Sequence, residues 1–452
     1  MARTLDMTTG RPLTLIAQFT LPMLAGNLLH QVYSITDSIV VGRFLGQTAL
    51  ASVGCTAPIV MLLAALMIGV NQAVGILISQ AFGRRDYDAI RRAMMNSLYL
   101  GLAIALFLAV VGGSMAEPIL RWMGTPEGPL QDAVTYLRIN FVMAVCPLFY
   151  YLFSSIFRGM GDSSTALSCL MVAALCNVGL DVLFVAVFHW GVAGTAWATA
   201  TAQALSAVFA AVLLWCRYPE VRPRQKDYRL DLRLFFRIAA LALPIALQSA
   251  FNNLSNIVAQ SGINTFGETV MAAYTAAGRI GTLALMPVET LAGSLAVYAG
   301  QNHGAGQHRR IRQGVRATLT LCLGASIVMG GVVMVGGGML TRLFLAAPTP
   351  EVLAIVQRYL LITAVPGFLD GFMQIYQQVL RGVNHPNQAL SGGMVQLLVR
   401  ILLVAVGAWW LHNLDVVWLA WPLAWLAGSV LPCYFYMQYR KGTASKQAPL
   451  FQ

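Results

Sequence analysis

A chain of 452 residues that is 58% hydrophobic and only 10% charged is not an ordinary soluble domain, in which about a quarter of residues carry charge. A net charge of +12 would suggest nucleic acid as a partner of a soluble protein. In a chain this apolar it reads instead as basic loops gathered on one side of a bilayer.

Seven cysteines (55, 146, 169, 176, 216, 322 and 433) stand singly in apolar segments. That spacing gives no disulfide framework and no metal site, so they read as small core residues. HxxxH, Walker and Rossmann patterns are absent, and no enzyme site is expected.

A spanning helix needs about 20 mostly apolar residues. By that rule twelve segments qualify: 13–42, 48–80, 92–114, 133–157, 165–188, 191–216, 234–262, 270–301, 313–337, 354–379, 388–411 and 415–438. The fold class is therefore an all-α membrane protein. The first segment lacks a small-residue cleavage site and is expected to be retained.

Helix one contains HQVYSITDSIVVGRFLG (30–46), in which a carboxylate, Asp37, interrupts an apolar run. An ionised Asp near a membrane centre costs roughly 2.5–3.5 kcal/mol on insertion scales. Asn27, His30, Ser34 and Asp37 follow a 3–4 residue spacing, so they form one polar stripe, expected to face the bundle interior. After helix two comes RRDYDAIRR (84–92), a basic loop. Helix five places Asn177 one turn before Asp181 on the same face, and helix six carries Thr199 and Thr201. A linker, 217–237, holds seven Arg or Lys.

These basic stretches, with RRIRQGVR (309–316), Arg158, Arg381 and Arg440-Lys441, fall on one side of the predicted topology. Arg43, Arg121, Arg342 and Arg358 lie opposite. The positive-inside rule then puts both termini in the cytoplasm, and the expected location is a bacterial cytoplasmic (inner) membrane.

The second half repeats the first. LPMLAGNLLHQVYSITDSIVVGRFLG from Leu21 answers LPIALQSAFNNLSNIVAQSGINTFG from Leu243, and Arg158-Gly159 answers Arg381-Gly382. Six helices per repeat means that both halves enter from the same side, a parallel repeat. The expected domains are a six-helix bundle over 1–216, a basic cytoplasmic linker over 217–233 and a second bundle over 234–452. Such an architecture suits a transporter with its substrate cavity between the bundles.

Helix one leaves the cytoplasm, so Asp37 falls in its outer half, about 22 Å of rise beyond Pro22. Asp181, Asn177 and Thr199 reach similar depth. In the second half Glu289 and Asp370 are intramembrane acids, but Arg279 and Arg400 stand nearby and internal pairing is open to them. The first half has no Lys or Arg deep in a span. Two nearby buried carboxylates do not both ionise cheaply, so a proton or a bound cation must satisfy Asp37 and Asp181. The rival reading is a structural knot of hydrogen bonds with Asn177 and Thr199. Substrate-cavity candidates are Tyr33, Gln31, Asn27, Phe153, Tyr274 and Tyr298, the aromatic ones able to stack on a flat cation.

These residues carry a family likeness. Leu21-Pro22 followed by Asp37, the Gln-containing ends of helices two and eight (Ser79-Gln80 and Gly300-Gln301-Asn302), the two Arg-Gly pairs and Asn177-x3-Asp181 resemble the MATE (multidrug and toxic compound extrusion) transporters over essentially the whole chain. The resemblance implies efflux of organic cations in exchange for H⁺ or Na⁺. It implies coupling roles for Asp37, Asn177, Asp181 and Thr199, the first three as metal ligands if the ion is Na⁺, and bending of helix one at Pro22. Asp370 matches an additional acid of the NorM-type branch. That branch's helix-seven Glu has no counterpart in SAFNNLSNIVAQ (249–260), which favours the DinF-type branch and leaves Asp370, Glu289 and Arg400 as a possible second-lobe site.

The expected activity is cation-coupled multidrug antiport by alternating access, in a monomer with no cofactor beyond the coupling ion and no nucleic-acid partner. A flippase for a lipid-linked oligosaccharide is the alternative, and it would want a basic cavity rather than an acidic one.

Overall fold

The structure, a computed structural model, describes residues 4–345 and 348–445, and they are helical nearly throughout with no strand among them. Among the described residues eleven helices are long and apolar enough to cross a membrane. They are α1 (Pro12–Leu45), α2 (Ala51–Gly83), α3 (Tyr87–Trp122), α5 (Ser163–Val187), α6 (Gly191–Arg217), α7 (Leu232–Asn264), α8 (Glu268–Gly304), α9 (His308–Phe344), α10 (Pro350–Gly382), α11 (Pro386–Trp410) and α12 (Leu414–Thr443). The remaining span, α4, is two helices, Glu127–Val142 and Val145–Gly159, meeting at a 47° bend.

The twelve segments expected from hydropathy are thus all present. The difference lies in α4, expected as one spanning segment over 133–157 and found as two helices meeting at a bend. The cause is Pro147, which lacks an N–H and whose ring crowds the carbonyl four residues back, at Met143. Pro366 does the same to α10, where the helix is interrupted at Val365–Gly367. Several helices, α3 among them, also run well past their apolar stretch, because side-chain caps in the loops extend them: Asp86 accepts from Ala89 N at 2.9 Å and Asp162 from Thr165 N at 2.9 Å.

The internal repeat is written into the backbone. Left-handed residues recur at matching places: Gly46 (φ 82°) and Gly267 (φ 92°), Arg85 (φ 58°) and Gly306 (φ 72°), Gly161 (φ 85°) and Asn384 (φ 68°), His189 (φ 55°) and His412 (φ 47°). The widened π-helical turn that ends α5, Val182–Val187, returns at the end of α11 as Ala405–Trp410. Two halves that turn at the same points must pack by the same plan.

Contacts divide the chain into two compact units. One comprises Leu21–Ala246 with the segment up to Asp6; the other comprises Met7–Thr20 and Leu247–Gln452. The divisions fall inside α1 and α7, whereas the lobes read from the sequence, 1–216 and 234–452, divide at the linker. Packing accounts for the difference. The linker is bound to α3 of the first unit through Arg91 and Asp227, and the first half of α7 lies so close to α2 that a Cβ at Gly69 would come 2.6 Å from the Ala242 carbonyl oxygen. At the other end, Met7 is fully buried and its backbone N donates to Gln301 Oε1 at 2.9 Å, inside the second unit.

The repeated Arg-Gly pairs have a packing role. A Cβ at Gly159 would meet the Gly75 carbonyl oxygen and Ile78 Cβ at 2.9 Å each, and one at Gly382 would meet the Ala296 carbonyl oxygen at 2.7 Å. Glycine lets α4 lie on α2, and α10 on α8, backbone to backbone. Gly382→Val is expected to destabilise the protein by about 1–3 kcal/mol. It should lower the thermal midpoint of the purified protein, whereas Gly442→Val, where a Cβ meets nothing, leaves that midpoint in place.

Candidate functional site

In the first unit α1, α5 and α6 bring four oxygen-bearing side chains together. Asp37 on α1 and Asp181 on α5 lie against each other. Asn177, one turn before Asp181, donates from Nδ2 to Thr199 Oγ1 on α6 at 3.1 Å. Asn177 and Asp181 are each only 1% exposed. Their helix supplies the geometry: a spacing of four residues puts both on the face that meets α6, where small residues such as Ala196 and Ala200 admit close approach.

The electrostatics are lopsided. Asp37 Oδ1, both carboxylate oxygens of Asp181 and Asn177 Oδ1 are buried and accept no hydrogen bond. The titratable groups facing the two acids are each other, Tyr33 and Tyr136. No Arg or Lys among the described residues forms an ion pair with either acid. Four acceptors without a donor make a site that a proton or a small cation would complete, since an unmet buried acceptor costs about 1–3 kcal/mol.

The backbone here is also irregular. α5 widens into a π-helical turn immediately after Asp181, and α1 does so at Val41–Leu45, four residues beyond Asp37. Such turns concentrate at functional sites.

Tyr33 sits beside Thr199 in this cluster. Tyr136 of α4 faces Asp37 and Asp181, and sequence reasoning missed it, because a lone Tyr in an apolar helix belongs to no pattern. Thr201 lies elsewhere, lining a separate pocket with Phe184, Trp190 and Trp197. The polar stripe of α1 is not uniform in exposure. Asn27, His30 and Ser34 are exposed, whereas Asp37 at the end of the stripe is half-buried beside Asp181. Gln31 and Phe153 are half-buried, Phe153 against the core. Pro22 lies within α1, which continues through it.

The second unit holds a cavity of about 430 Å³ lined by Glu289 of α8, Asp370 of α10 and Arg400 of α11, with Tyr274, Tyr359 and Trp421. The Glu289 side chain is exposed to this cavity, and Asp370 is 4% exposed. Arg400 does not pair with either acid. Its Nη1 donates to Asn256 Oδ1 at 3.0 Å and its guanidinium lies 5.2 Å from the centre of the Trp421 ring. Its Nε finds no acceptor and Asp370 Oδ2 finds no donor. Arg279 is exposed on α8 and does not line the cavity.

Tyr274 belongs to this cavity, but Tyr298 does not. Tyr298 is fully buried, donating to the Arg310 carbonyl at 3.2 Å and packing on Gly314. Its substrate-cavity assignment is therefore replaced by a core one.

The repeat explains why the two units differ in charge. Arg400 stands 223 residues after Asn177, and the position 222 after Asp37 is Ala259. Matched places thus hold an amide and an acid in one half, and a guanidinium and a methyl in the other.

A family model described as MatE matches twice, over residues 22–183 and 244–406. A "Probable multidrug resistance protein YoeA" of Bacillus subtilis is 29% identical over 438 residues, covering 93% of this chain and 92% of that protein. An "FAD transporter" of Shewanella oneidensis is 23% identical, covering 94% of each. Among solved structures, one described as the outward-facing conformation of a multidrug resistance MATE family transporter superposes with a TM-score of 0.91 at 20% identity, covering 98% of this chain and 99% of that one.

Proposed function

Since the chain belongs to the MatE family, whose members are multi-pass membrane transporters and not enzymes, we propose that it exports amphipathic organic cations across a bacterial inner membrane in exchange for H⁺ or Na⁺, both termini lying in the cytoplasm. The observation that carries this reading is the Asp37–Asp181 pair with its unmet oxygens. Asp37 and Asp181 take the driving ion, while Asn177 and Thr199 serve as ligands or hydrogen-bond partners. The ion binds from outside and releases the cargo; the protein returns inward once the ion leaves. A ligand moves such an equilibrium only by preferring one of its states, and a carboxylate pair supplies that preference, since its cost when empty changes with its access to water.

The multidrug-resistance description of the Bacillus relative supports the cargo class. Acidic character argues against the lipid-linked oligosaccharide flippase: the first unit's site has two acids and no base, and the second unit's cavity has two acids to one Arg. A second reading rests on Arg400. A guanidinium with a free Nε, seated over Trp421 beside Tyr274, suits a planar cargo that also carries a negative group.

The test is transport by purified protein in liposomes under separate proton and sodium gradients, with a planar cation and a planar anion as cargoes. Uptake driven by at least one gradient is expected, and the cation should be carried. Equal flux with and without both gradients overturns the coupling.

A further inference from the structure

The first unit also has a polar cavity, of about 350 Å³, where the end of α2, the start of α3, the end of the linker and the start of α7 meet. Four arginines line it: Arg84, Arg92, Arg233 and Arg237. Two carboxylates also line it, each using one oxygen to cap the start of a neighbouring helix. Asp86 Oδ1 accepts from Ala89 N at 2.9 Å, and Asp231 Oδ1 accepts from Arg233 N and Leu234 N at 3.0 and 3.1 Å. Among the described residues none of the four guanidiniums makes an ion pair or a side-chain hydrogen bond. A bowl with two more positive than negative groups, and four unused hydrogen-bonding forks, is built for an anion. Guanidinium forks match phosphate in a way that lysine does not.

The surroundings indicate the source of the phosphate. Arg233 and Arg237 are one turn apart on α7, and the residues beside them, Leu232 and Phe236, are 58% and 64% exposed. Apolar side chains bared next to a basic bowl suit a ligand with a charged head and hydrocarbon tails. The bowl lies at the end of the spans where the basic loops gather, the face that meets anionic lipid.

We propose that this cavity binds the phosphate head of an anionic phospholipid. The site is distinct from the Asp37 cluster and needs no transport to be seen.

The experiment uses the delipidated full-length protein in detergent. It is titrated with phosphatidylglycerol, phosphatidylcholine, inorganic phosphate and pyrophosphate, reading the thermal midpoint, which a ligand of the folded state raises. Phosphatidylglycerol should raise it at far lower concentration than phosphatidylcholine. R233Q/R237Q should weaken that response at least about tenfold, equivalent to about 1.4 kcal/mol, while R229Q, a linker change outside the cavity, keeps it. Equal responses to the two lipids, or an unchanged response in R233Q/R237Q, overturn the proposal. A full response to phosphate or pyrophosphate that excludes phosphatidylglycerol reassigns the cavity to a soluble anion and likewise overturns the lipid. Should R233Q/R237Q not fold, R84K/R92K, which keeps charge and loses the forks, is read by the same criteria.

Discussion

Asp37→Asn should leave a folded, membrane-inserted protein whose gradient-driven export falls to the level of empty vesicles. The substitution keeps the shape of the side chain and removes its charge. It also gives position 37 an N–H₂ group directed at Asp181, whose two oxygens otherwise accept nothing. Stability should therefore hold or rise, in contrast to activity. Loss of coupling by at least about tenfold corresponds to about 1.4 kcal/mol of ion binding, a small demand on a site that has lost one of its two carboxyls. Asp181→Asn should behave alike, and the double variant should be little worse than either, because the two carboxyls act as one unit. Transport in reconstituted vesicles, alongside a thermal midpoint, reads both halves of this expectation. Undiminished export by Asp37→Asn would remove the coupling site from the first unit and direct attention to Glu289 and Asp370.

The second large effect is on stability. The linker between the halves is anchored by Asp227, whose Oδ2 accepts from Arg91 Nε at 3.0 Å and from Arg224 N at 2.9 Å. The two side chains are 1% and 3% exposed, Asp227 and Arg91 respectively. Arg91 also donates to the Glu220 carbonyl at 2.5 Å and pairs with Asp88. Asp227→Ala leaves a buried guanidinium short of its main partner, a change that costs about 3–5 kcal/mol in comparable pairs. The half-exposed Asp88 places the expected loss at the lower end. The linker should then detach from α3, so limited trypsin should cut between Arg222 and Arg229 faster than in the wild type. Replacing both partners, Arg91→Met with Asp227→Leu, should cost less than Asp227→Ala alone, since no charge is stranded. A wild-type midpoint and cleavage rate in Asp227→Ala would show that the pair holds nothing.

The sequence by itself determined the twelve spans, the repeat and the acids to suspect. Those properties are local: a 20-residue apolar run, a basic loop or an Asp in hydrocarbon carries its own free-energy cost whatever surrounds it. Even the break in α4 is legible in Pro147. Only tertiary structure decided which polar groups meet. Asp37 and Asp181 are 144 residues apart, and nothing in their spacing required their carboxyls to face each other rather than separate helix neighbours. Tyr136, which no pattern marks, joined them, while Tyr298, singled out in the sequence, packed into the core. Arg400, free by sequence to neutralise Asp370, chose Asn256 and Trp421 instead. Helix identity follows from the order of residues along one chain segment. Partnership follows from rotation about each helix axis and from how close two backbones approach, and that is set by glycines and small side chains on several helices at once.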